Sequence, residues 1–171
     1  MIQKIKYYDW EIEFDQRETQ EAHASMAKGG AEQCGCAHCL YWISMRSKIY
    51  PPEVRSLLDT LGISLDRETE LGSPLELGSN RLLYSGWFHF VGKVISGPKT
   101  HYKIGDITPS GNISGGTVEQ IRLHELNPQF SIGFNERRDL LPKSFDGHPV
   151  VQMEFTCELG WEGKQRDELG A

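Results

Sequence analysis

A change in the spacing of apolar residues near Gly62 constrains the fold of this chain more than any other feature. Before it, Cys36, Cys39, Leu40 and Ile43 recur at i, i+3, i+4 and i+7, and Val54, Leu57, Leu58 and Leu61 follow the same helical spacing. After it, apolar residues alternate. The first stripe predicts a helix over 37–48, because Tyr50 precedes Pro51 and Pro52 and a residue before proline is pushed out of the helical region. A first turn tolerates proline, so a second helix is expected over 52–61, closed by Gly62. Downstream, Leu82, Tyr84, Phe88, Phe90 and Val94 alternate with Trp87, His89, Val91 and Ile95. Apolar residues on both faces mark a central strand. Gly86 and Gly92 within it predict a bend or the close approach of another backbone.

Further strands are expected over 117–126, 129–134 and 149–159, the last burying Val151, Met153, Phe155, Cys157 and Leu159. Residues 71–77 give a short edge strand or a bulge, because Pro74 cannot donate to a ladder. At the N-terminus, Tyr8, Trp10, Ile12 and Phe14 alternate with acidic residues and predict one strand over 6–14. Residues 15–33 are polar and are expected to form a mobile arm or a short surface helix with no core role. The tail 160–171, Trp161 included, is expected to be loosely held. Helices grouped in one place before a run of strands call for antiparallel pairing. The expected architecture is a single α+β domain over 1–171, a mainly antiparallel sheet of about five to six strands with two adjacent helices packed on one face.

With 18 Lys and Arg against 24 Asp and Glu, the chain carries a net charge of −6. That balance disfavours nucleic acid and anionic lipid, both densely negative. The opening MIQKIKYYDWEIEFD holds no apolar run of signal-peptide or membrane-span length, so a cytoplasmic location is expected.

The densest chemical feature is CGCAHC, Cys34 to Cys39. Thiolates are soft ligands suited to zinc, and short spacings let one loop and one helix start supply several tetrahedral positions. Residues 36 and 39 leave the same side of a helix, and Gly35 permits the sharp path that brings Cys34 round to them, whereas His38 points away. The expected ligands are therefore Cys34, Cys36 and Cys39, with the fourth position going to water, to His89 or, preferred for its soft sulfur, to Cys157. Plain core or surface thiols are the competing reading, since free cysteine is among the most buried residue types. A third reading is redox: Cys36-Ala37-His38-Cys39 at a helix start resembles the active-site dithiol of thioredoxin-like oxidoreductases. The likeness covers four residues, and Gly35 stands where that family places tryptophan.

Other motifs fail on inspection. His124-Glu125 begins like the HExxH of zinc proteases, but position 128 is Pro128, and GNISGG lacks the lysine and spacing of a phosphate loop. His89, mid-strand among aromatics, is expected to be a hydrogen-bonded core or rim residue. Together, CGCAHC, YPPEVRSLLDTLGI and GWFHFVG resemble segments of a family of small uncharacterised bacterial proteins. The resemblance implies a free-standing cytoplasmic bacterial domain and brings no activity with it. The function expected is a non-enzymatic module binding a protein or small ligand, with a zinc site at CGCAHC and homo-oligomer formation left open. The alternative is a thiol-dependent enzyme using Cys36 or Cys39.

Overall fold

The computed structural model describes residues 1–78, 80–107 and 113–161, apart from the side chains of 103–119. At its centre lies the alternating segment anticipated over 82–95, now β5 (Arg81–Ser96). Its first eleven residues pair with β10 (Val150–Gly160), which pairs in turn with β9 (Phe130–Asn135), and β9 with β8 (His124–Asn127). The other edge of β5 takes β3 (Glu70–Leu71), β4 (Leu75–Glu76) and β2 (Trp10–Phe14), and β2 pairs outward with β1 (Gln3–Tyr7). Two more strands, β6 (His101–Ile107) and β7 (Ile113–Ile121), form a separate hairpin. Every strand pair among the described residues is antiparallel, and the α+β class stands.

The main sheet has eight strands rather than five to six. The segment read as one strand over 6–14 turns at Tyr8-Asp9, with Tyr8 at φ 50°, so Tyr7 pairs with Trp10 and only Trp10, Ile12 and Phe14 keep the buried face. Residues 117–126 break likewise between β7 and β8. Pro74 separates β3 from β4 as two short edge pieces.

The helices α3 (Ala37–Ile49) and α4 (Pro52–Leu61) fall where the apolar period placed them. They cover the sheet face made by Leu82, Tyr84, Phe88 and Phe90 of β5, Val151, Met153 and Phe155 of β10, and the β9 aromatics. Trp42 stacks on Phe155 with ring centres 5.5 Å apart, and Tyr50 meets Phe88 and Phe130. Gly86 permits this packing: a Cβ there would sit 2.6 Å from the Glu70 carbonyl oxygen and 2.8 Å from the Phe155 ring.

Two expectations about peripheral segments are corrected. Residues 15–33, expected to be a mobile arm or a short surface helix with no core role, form two helices, α1 (Gln16–Ala24) and α2 (Gly30–Cys34), that bury Thr19, Ala22, His23 and Ala31. The cause is the edge of β5 between β3 and β2, where backbone groups would otherwise be buried without partners at a cost comparable to a lost hydrogen bond. Thr19 Oγ1 accepts the Val91 N–H at 3.0 Å, His23 Nε2 donates to the His89 carbonyl at 2.9 Å, and the Asp15 N–H reaches the Val91 carbonyl at 2.9 Å. Polar side chains do this work, so no apolar stripe announced it.

Nor is Trp161 loose. Strand β10 runs through Gly160 and delivers the indole against the rings of Tyr41 and His38, burying it, while residues 162–171 lie outside the described residues. No helix among the described residues is long and apolar enough to cross a membrane.

Candidate metal centre

Cys34 is the last residue of α2, Gly35 turns the chain at φ 64°, and Cys36 takes an extended conformation as the N-cap of α3. Cys39 follows in the first turn. This path brings the sulfurs of Cys34, Cys36 and Cys39 within 4.8 Å of one another. Cys34 and Cys36 are exposed and Cys39 is buried, so the cluster rests on the core with its outer side toward solvent. The backbone N–H of Cys39 favours the Cys36 thiolate and lowers its pKa, whereas burial pushes the Cys39 thiol up. An ion bound here would displace those protons, since thiolates are the ligands.

A buried ion network holds the two helices that carry the cysteines. Arg46 of α3 donates through Nη1 to Glu32 of α2 at 3.0 Å and through Nη2 to Glu68 Oε1 at 2.8 Å. Glu68 also accepts the Ala31 N–H at 3.2 Å, and its carbonyl accepts the Gly30 N–H at 2.8 Å. One carboxylate thus fastens the start of α2 to the last turn of α3. Burial raises the Glu68 carboxyl against the pull of Arg46, and the hydrogen bond from Arg46 lowers Glu32. Sequence reasoning missed all three residues, which look like ordinary surface charges until the fold buries them.

The remaining ligand candidates are placed elsewhere. Cys157 lies on the core face of β10, paired with Tyr84 on one side and Phe130 on the other, and is not a member of the thiol group. Burial pushes its thiol up to about 12. His38 turns its ring to Trp161, with centres 5.3 Å apart, and is not a member of the thiol group. On the opposite face of the sheet, His89 is fully buried with both ring nitrogens engaged, Nδ1 by Thr69 at 2.9 Å and Nε2 by Gln152 at 3.1 Å.

That opposite face carries a polar network which the sequence did not disclose. Gln152 Oε1 accepts from the Asp139 N–H as well as from His89 Nε2, so His89 Nδ1 takes the Thr69 hydroxyl proton. The Gln152 amide donates to Glu154 at 2.8 Å and to Asp139 at 3.3 Å. His101 Nε2 lies 2.8 Å from both Glu154 oxygens, and Arg137 joins Asp139 at 2.6 Å to His101 Nδ1 at 3.4 Å, closing a ring of five side chains. The ring ties the start of β6 and the segment after β9 to β10. Locally, the sequence offers only polar residues at alternate positions of β10, Gln152, Glu154 and Glu158 among them. The register that sets Gln152 beside His89 was needed to see the ring.

No protein-family profile matches the chain, and neither the curated proteins nor the solved structures contain a significant match to it.

Proposed function

We propose that this protein is a cytosolic, non-enzymatic binding module in which Cys34, Cys36 and Cys39 hold a zinc ion. The approach of the three sulfurs to within 4.8 Å carries this reading. Sulfurs sharing a tetrahedral zinc at 2.3 Å stand about 3.8 Å apart, a distance that small side-chain rotations reach from here. Fixing three ligands across the corner between α2 and α3 makes metal binding part of folding at that corner. The test is elemental analysis of protein purified without a metal-affinity column. One zinc per chain is expected, and Cys34→Ser retaining full stoichiometry and affinity would refute the ligand set.

The same closeness favours a second reading, a thiol-dependent enzyme in which Cys36 and Cys39 cycle between dithiol and disulfide. Against it, α3 is followed by another helix, and the described strands pair antiparallel rather than in the strand–helix alternation of thioredoxin-like enzymes. The expected result is no reduction of insulin disulfides by dithiothreitol-supplied protein above the uncatalysed rate. Turnover abolished by Cys36→Ser would favour the enzyme.

A further inference from the structure

Resting on the metal reading above, we infer that the centre is open, its fourth coordination position facing solvent and taking a thiol from outside the chain. Structural zinc sites are closed by four protein ligands, whereas sites that bind an exchangeable ligand keep one position free.

The described donors named as candidates for closing this site are held elsewhere. Cys157 is packed between Tyr84 and Phe130, with its sulfur 3.9 Å from the Glu158 carbonyl. Tyr84 itself spans from β5 to the His38 carbonyl at 3.0 Å, lying under the start of α3. His38 sets its ring against that of Trp161, and His89 is committed to Thr69 and Gln152 across the sheet. Among the described residues no histidine, carboxylate or fourth cysteine joins the group.

Among the described residues the side of the cluster away from the core is open: Cys34 and Cys36 are both exposed, and apart from its chain neighbours none of those residues lies within 4 Å of where a Gly35 side chain would begin. A metal seated on three sulfurs would therefore direct its last position outward. Three thiolates make that metal soft, which favours a further sulfur over a carboxylate. In the exchange, the incoming thiol releases its proton to solvent as its sulfur replaces a bound water. The source is either a free low-molecular-weight thiol or a cysteine of a second protein molecule, and the chemistry is the same.

The experiment uses the full chain loaded with Co(II) in thiol-free, oxygen-free buffer, with the sulfur-to-cobalt charge-transfer band counting thiolates and sedimentation reporting size. A three-sulfur monomer is expected, whose band grows by about a third as 2-mercaptoethanol is titrated in and saturates, identifying a free thiol as the ligand class. A four-sulfur spectrum without added thiol, accompanied by a dimer, supports the same open position with the donor in a second chain. A four-sulfur monomer whose band drops by about a quarter in Cys157→Ser would overturn the inference and leave the metal reading standing. A three-sulfur band unmoved by 2-mercaptoethanol would also overturn it. Absence of any thiolate-to-cobalt band, in the wild type and in Cys157→Ser alike, would sink the metal reading itself.

Discussion

Arg46 Nη2 meets Glu68 Oε1 at 2.8 Å, with the carboxylate fully buried and the guanidinium nearly so. The contact joins α3 to the segment ahead of β3, and through the Ala31 N–H it also joins α2. Removing Arg46 leaves Glu68 as an unpaired buried charge, whereas removing Glu68 leaves Arg46 its second, partly exposed partner Glu32. Arg46→Met is expected to destabilise the protein by about 3 to 5 kcal/mol and Glu68→Gln by less, measured by urea denaturation. The double replacement should cost much less than the sum. Metal affinity should fall in the single variants, because Cys34 loses its fixed position relative to Cys36 and Cys39.

The four cysteines should separate into two classes. Serine at 34, 36 or 39 is expected to abolish or sharply weaken metal binding with little change in the stability of the metal-free protein for the two exposed positions. Serine at 157 should leave metal binding intact and cost about 1 to 3 kcal/mol, the penalty for placing a hydroxyl among apolar partners. Equilibrium dialysis and denaturation of the same set of variants test both halves.

Acid should destabilise the protein well above the range where carboxylates titrate. Burial lowers His89 from the ordinary 6.5 to about 4, against the pull of its hydrogen bond to Gln152, with Asp139 and Arg138 the nearby charged groups. Between those values the unfolded chain binds a proton that the folded chain refuses, so stability is complete above 6.5 and is lost as pH falls toward 4. From pH 7 to pH 5 the loss is expected to be about 2 kcal/mol from this residue. Denaturation curves across that interval check it, and His89→Gln should flatten the slope. His23, also lowered by burial, acts in the same direction.

Gly35 stands at φ 64°, and no described residue beyond its chain neighbours would meet a Cβ there, so its role is backbone freedom rather than clearance. Gly35→Ala is expected to cost about 1 to 2 kcal/mol, and Gly35→Asn less, because asparagine tolerates the left-handed region. Metal affinity should follow the same order, a ranking that calorimetric titration can resolve.

Much of the scaffold was legible. The stripe from Val54 to Leu61 and the proline pair ahead of it fixed α4, and the two-sided apolar run from Leu82 to Ile95 identified the central strand, because burial leaves a periodic mark on sequence. Local spacing also grouped three cysteines through a left-handed glycine and one helical turn, and the Arg46–Glu68 contact holds the two helices that carry them. Strand β6, HYKIGDI, was missed because it pairs within its own hairpin and lacks the alternation of a sheet packed on a core.

By itself, then, the sequence determined α3, α4 and the central strand, whose burial leaves a periodic mark, and the grouping of Cys34, Cys36 and Cys39, set within a few residues. Tertiary structure alone decided which polar groups were buried. Thr19 and His23 became edge caps, Glu68 became an internal anchor, and Gln152 and Glu154 became the floor of a hydrogen-bonded ring. It also decided that Cys157 stays in the core. The physical reason is that a polar side chain carries no periodic signature of its own burial. Its partner lies tens of residues away, as Glu68 does from Ala31 and Arg46, and only the folded chain brings donor and acceptor together.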